Sequence, residues 1–161
     1  MILTFAFLLL AWIFSMNEFI NNRVLQATLF PWAAAQILKV ILELIWKRKL
    51  NLRLLTSAGG MPSSHSALVC GLAAAVGIND GTGSSLFVMT LVLAMVVMYD
   101  AAGVRRAAMQ QARILNQIID ELFQGHPISE VRLRELLGHT PKEVFAGAIL
   151  GIFGGWWWMV R

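Results

Sequence analysis

Lys142-Glu143-Val144-Phe145-Ala146-Gly147-Ala148-Ile149-Leu150-Gly151-Ile152-Phe153-Gly154-Gly155-Trp156-Trp157-Trp158-Met159-Val160 is an apolar run long enough to cross a bilayer. A hydrocarbon core asks for ~20 such residues in a helix. Gly147, Gly151 and Gly155 recur every four residues and share one helix face. Such a face lets another backbone approach closely, so it reads as a packing surface. The three tryptophans that follow mark a membrane interface. The stretch therefore predicts a helix built into a membrane bundle.

The rest of the chain agrees with that reading. Of 161 residues 58% are hydrophobic and 14% charged, and the mean hydropathy is +0.68. A soluble domain carries about 25% charged residues. Four further apolar segments fall at 1–20, 28–46, 63–78 and 85–101. The fold class is thus an all-α integral membrane bundle of about five transmembrane helices, in a single domain over 1–161. The third and fifth segments are short and rich in small residues, which suits helices buried among neighbours. Met1–Met16 has neither a basic n-region nor a small-residue cleavage site and reads as an anchor. Cys70, the single cysteine, lies in an apolar helix as a core residue. There is no internal repeat and no low-complexity stretch.

Between the fourth and fifth spans the pattern changes. Over Gly103–Leu122, Val104, Ala108, Leu115, Ile119 and Leu122 line one side, with Arg105, Arg106, Gln110, Arg113 and Asp120 off it. That is an amphipathic helix at the membrane surface. Gln124–Gly138 reads as a polar loop with a short helical piece, and His126 within it as a surface residue.

The net charge of +4 matters less than its placement. Lys47, Arg48, Lys49 and Arg53 follow the second span; Arg105, Arg106, Arg113, Arg132, Arg134 and Lys142 lie between the fourth and fifth. Five spans put both segments on one side with the N-terminus, and the positive-inside rule makes that side cytoplasmic. No basic run is interleaved with aromatics, which argues against a nucleic-acid partner.

Candidate chemistry gathers at two helix mouths. Gly59-Gly60-Met61-Pro62-Ser63-Ser64-His65-Ser66 joins a basic loop to the third span. Backbone amides of Gly60, Ser63 and Ser64 at a helix start favour an anion, and His65 stands beside them. Equally, the serines cap the helix and His65 is a polar boundary residue. At the second mouth, Thr140-Pro141-Lys142-Glu143 fits a capping box, with Glu143 binding backbone. Glu143 is also four residues from His139, where it can accept a proton from one imidazole nitrogen and leave the other as a nucleophile. Lys39 and Glu43 lie four apart in the second span, either as a neutralising pair or with Lys39 reaching a headgroup pocket. Asp100 can hold an arginine while Gly103 lets the chain turn. Arg105 and Arg106 point different ways on a helix, so one of them reaches a shared anion, unless both meet solvent or headgroups.

Together, GGMPSSHSA at 59–67, MYDAAGVRR at 98–106 and LGHTPKEVFAG at 137–147 resemble the divergent branch of the type 2 phosphatidic acid phosphatase superfamily, relatives of the vanadium-dependent haloperoxidases. The resemblance runs through nearly the whole chain. Pro62-Ser63-Ser64-His65 looks like the superfamily's Pro-Ser-Gly-His motif, with Ser64 where glycine is usual. His139-x-x-x-Glu143 looks like its Arg…His-x-x-x-Asp motif, with glutamate for aspartate and Leu133 at the usual arginine position. Lys39 and Arg53 are nearest to its Lys/Arg motif without the usual spacing, and Met109 stands where this branch carries glycine.

The resemblance implies that His139 attacks phosphorus, that His65 protonates the leaving oxygen, and that Lys39, Arg53 and an arginine of the 105–106 pair hold the phosphate. No metal or other cofactor is implied. The implied substrate is a lipid or isoprenoid phosphate or diphosphate at a bacterial-type inner or plasma membrane, in a monomer or a homo-oligomer. A catalytically altered relative that binds headgroups, transports or scaffolds is the alternative. Asp100-x-x-Gly103-x-x-Arg106 faintly echoes the CDP-alcohol phosphotransferases, but their metal-binding aspartates do not follow.

Overall fold

Each long helix begins at a residue whose side chain accepts from a free amide of its first turn. In the computed structural model, which describes residues 16–48, 50–56, 59–103, 110–112, 114–119 and 139–161, these helices are α1 (Arg23–Lys47), α2 (Ser64–Asn79), α3 (Ser85–Ala102) and α4 (Pro141–Val160). Their caps are Asn22, Ser63, Ser84 and Thr140. A short 3-10 helix, Leu52–Thr56, follows α1 and packs against it. No strand occurs among the described residues.

α1, α3 and α4 are long and apolar enough to cross a membrane, and α2 is a shorter apolar helix of 16 residues. These four correspond to the expected second to fifth spans, displaced by a residue or two except that α1 starts earlier. Of the expected first span, residues 16–20 are helical and the rest lie outside the described residues. Of the expected amphipathic helix, 110–112 and 114–119 are helical, and the remainder after Gly103 lies outside.

α2 is the centre of the bundle and packs against α1, α3 and α4. Its small residues are the reason. A Cβ on Gly147 would strike the Ser63 carbonyl; one on Gly151 would lie 2.5 Å from the Ala67 carbonyl oxygen, and one on Gly155 2.7 Å from that of Gly71. Ser63, Ala67 and Gly71 thus oppose Gly147, Gly151 and Gly155 in the same order. α2 and α4 therefore run parallel, and they start at the same end.

α1 runs against both. Its interior Pro31 fits where a Cβ on Gly71 or Gly154 would come within 2.7 or 2.8 Å of the ring. At the far end the Arg23 guanidinium donates to the carbonyls of Met159 and Trp158, at 3.1 and 3.4 Å. Phe30 packs on Trp157 and Trp158 there, so the expected interface tryptophans also close the bundle. The turn at 80–84 returns the chain into α3, with Gly81 at φ +84. α3 meets α2 through Val69, Cys70 and Ala94, which confirms Cys70 as a core residue.

One expectation is corrected. α4 is not buried all round: Phe145, Ile152, Phe153 and Trp156 are exposed among the described residues. Only its glycine face is small, and the bulky residues between the glycines point the other way.

Candidate active site

Parallel docking of α2 and α4 brings His65 and His139 to one end, where α1 and α3 finish. Backbone bonds fix the join. The Ser63 N–H donates to the Glu143 carbonyl at 2.9 Å, and the His139 N–H donates to the Ala101 carbonyl at 3.2 Å. The second histidine is thus anchored to the last turn of α3 just before α4 begins. None of these backbone contacts was anticipated from the sequence.

His139 is 1% exposed. Its Nδ1 lies 3.3 Å from Oε2 of Glu143. The same oxygen accepts from the Thr140 N–H at 2.9 Å, and Oγ1 of Thr140 accepts from the Glu143 N–H at 3.4 Å. The cap and the histidine contact are therefore not alternatives, because one carboxylate oxygen makes both. With Nδ1–H donated to the carboxylate, Nε2 carries the lone pair. That nitrogen is buried with no hydrogen-bond partner among the described residues. Burial pushes the His139 pKa below the usual histidine value, and the Glu143 hydrogen bond and charge oppose this only in part.

His65 occupies the first turn of α2, half-buried. Its ring centroid is 6.1 Å from that of His139, with the planes at 65°. Ser63 is the cap of α2, as expected, and its Oγ also accepts from the Ser66 hydroxyl at 3.1 Å.

Lys39 resolves one of the open choices. Glu43 forms its ion pair with Lys47 at 2.8 Å on the outside of α1. Lys39 turns inward instead, is 2% exposed, and donates from Nζ to Ser64 Oγ at 3.1 Å. Its charge is felt by His139. Gly60, at φ +96, passes over the Lys39 stem. A neutralising pair along one helix gives way to a cation held at the start of α2, close enough to act on His139.

The remaining candidates are placed less fully. Arg53 lies on the 3-10 helix, and Asp100 in the last turn of α3 beside Ala101. Arg105 and Arg106 lie outside the described residues.

The sequence model of the divergent PAP2 family matches residues 20–154, which include every residue of this cluster. The chain belongs to the divergent PAP2 family. It is similar to the uncharacterized membrane protein YuiD of Bacillus subtilis (strain 168), 39% identical over 146 residues, covering 84% of this chain and 92% of the relative. No solved structure matches the chain. Membership of the divergent PAP2 family agrees with the apolar helices in making this an integral membrane protein related to phosphatases.

Proposed function

We propose that this member of the divergent PAP2 family is a single-domain membrane phosphatase that hydrolyses a lipid or isoprenoid phosphate or diphosphate through a phosphohistidine, without a metal. The observation that carries the proposal is His139. Its Nε2 is buried without a partner among the described residues while Nδ1 is held by Glu143, and His65 and Lys39 stand beside it. A lone pair kept in that position is a poised nucleophile.

His139 Nε2 attacks phosphorus, and the bond from phosphorus to the ester oxygen breaks. The His65 imidazolium gives its proton to the departing oxygen. Water then attacks phosphorus as neutral His65 takes its proton, the phosphorus–nitrogen bond breaks with its electron pair returning to His139 Nε2, and phosphate leaves. Lys39 offsets the charge on the phosphoryl oxygens, as phosphoryl transfer chiefly demands. Gly60 adds a backbone donor ahead of α2, Ser64 holds the Lys39 ammonium, and Ser63, whose N–H is already bonded to the Glu143 carbonyl, serves as the cap of α2. Arg53 with one of Arg105 and Arg106 completes the clamp, with Asp100 supporting it.

An apolar tail on the substrate is supported by a groove of about 380 Å³ between α1 and α4. Leu38, Met61, Pro62, Ala146, Ile149 and Phe153 are among its lining residues, and Pro62 adjoins Ser63. Ligand pockets commonly measure roughly 300–1,000 Å³. The basic residues near the site support a position on the cytoplasmic side of the inner or plasma membrane.

The test is phosphate release by the purified protein from a panel of lipid and isoprenoid phosphates with EDTA present. Activity that survives chelation and disappears in His139→Ala and His65→Ala is expected. Tight headgroup binding without turnover on any ester would replace this reading with a binding protein of the same fold. Activity abolished by chelation and restored by zinc would overturn the metal-free mechanism.

A further inference from the structure

We propose that Ser64 is a positioning residue that holds the ammonium of Lys39 in place to receive the phosphate. The inference rests on the phosphate-site reading above and assigns Ser64 a task distinct from contact with substrate.

Lys39 leaves α1 eight residues before its end at Lys47 and enters the bundle interior. An ammonium there is costly unless hydrogen-bonded. Ser64 Oγ accepts from it at 3.1 Å, and both residues are 2% exposed. Ser64 is the first residue of α2, immediately after its cap, so its hydroxyl is fixed by the helix start rather than by a mobile loop.

The lysine stem is confined as well. A Cβ on Gly60 would lie 3.7 Å from Lys39 Cδ and 3.8 Å from Cγ, in ordinary contact. The loop thus lies along the stem while Ser64 holds the head. A free lysine loses rotamer entropy when it is fixed. Here that ordering precedes the arrival of the anion, which is the condition for preorganised electrostatic stabilisation. One of the three ammonium donors serves Ser64.

The experiment measures orthophosphate binding and turnover in the full chain, in lipid nanodiscs, for wild type, Ser64→Ala, Ser64→Thr, Lys39→Met and the Ser64→Ala/Lys39→Met double variant. Ser64→Ala should weaken orthophosphate binding and lower kcat/KM by roughly tenfold, the scale of one hydrogen bond to a charged group. Ser64→Thr keeps the hydroxyl and should recover most of the loss. In the Lys39→Met background Ser64→Ala should have little further effect, because the two act as a unit. If Ser64→Ala is not recovered folded, Ser64→Gly serves the same comparison.

Unchanged phosphate affinity in Ser64→Ala, or losses that simply add in the double variant, would overturn the inference. Phosphate binding that depends on Ser64 in a protein that hydrolyses no ester would end the phosphatase reading and leave this one standing. Wild-type protein that hydrolyses esters, with Ser64→Ala equal to it in both measurements, would do the reverse. Wild type that neither binds orthophosphate at millimolar concentration nor hydrolyses any ester would end both.

Discussion

Gly147→Ala tests how the bundle sets the distance between the histidines. The added Cβ would land on the Ser63 carbonyl oxygen and lie 3.0 Å from its carbon, where ordinary contact begins at 3.4 Å. These are backbone atoms, so Ser63 must retreat by about 1 Å, and a displacement of that size near a reacting centre lowers rates by ~100-fold. Ser63 caps the helix that carries His65, and its N–H is bonded to Glu143, so the shift falls between acid and nucleophile. Gly155→Ala is the control. Its Cβ would press on Gly71 O at 2.7 Å in the same seam, about two helical turns from the site. Both substitutions overpack the seam and should cost about 1–3 kcal/mol of stability, but only Gly147→Ala should lose about 100-fold in kcat. Initial rates of phosphate release and thermal unfolding in one detergent check this. Equal activity losses at equal destabilisation would refute the claim that the stripe sets catalytic geometry.

Glu143→Gln and Thr140→Ala separate the two tasks of one carboxylate. Thr140→Ala should cost about 1 kcal/mol of stability as a lost cap and leave the rate largely intact, whereas Glu143→Gln should lower kcat by roughly 10- to 100-fold as a lost charge-assisted bond. His139 must be neutral to attack, and burial lowers its pKa, so wild-type activity should persist below the usual histidine value. Glu143→Gln removes an influence that raises that pKa, so the acid limb of the kcat/KM profile should move to still lower pH; movement upward would contradict the assignment. His65→Ala should cost about 100-fold or more on an alkyl phosphate and far less on para-nitrophenyl phosphate, whose leaving group needs no proton; equal losses would remove His65 as the acid. Ala146→Trp should fill the groove and slow long-chain substrates while sparing para-nitrophenyl phosphate, and unchanged long-chain rates would place the tail elsewhere.

The bundle was legible because its signals are local and repeated. Glycines four apart, caps before apolar runs and span-length segments each fix a helix or a face without knowledge of its partner. The two faces that meet were also written in the chain, since Ser63, Ala67 and Gly71 share the spacing of Gly147, Gly151 and Gly155, but equal spacing fits either direction and only the structure makes the docking parallel. Reading the faces required matching two stripes rather than one. The Glu143 contacts could be named in advance because residues four apart on a helix turn must lie close. The Lys39–Ser64 bond could not, because it joins positions 25 residues apart and depends on how α1 crosses α2. Local spacing suggested Glu43 as the lysine's partner; the interior position of Lys39 and the exposed Lys47 decided otherwise. Nor does spacing reveal the Ala101 carbonyl under His139, a backbone contact that any residue type could make.

The most direct test of His139 as the nucleophile is to quench the protein during turnover of a phosphorus-labelled substrate and locate the label. Phosphate is expected on His139, stable to base and lost in acid, formed with EDTA present and absent from His139→Ala. Turnover without label on His139, or label that persists on another residue in His139→Ala, would contradict that role.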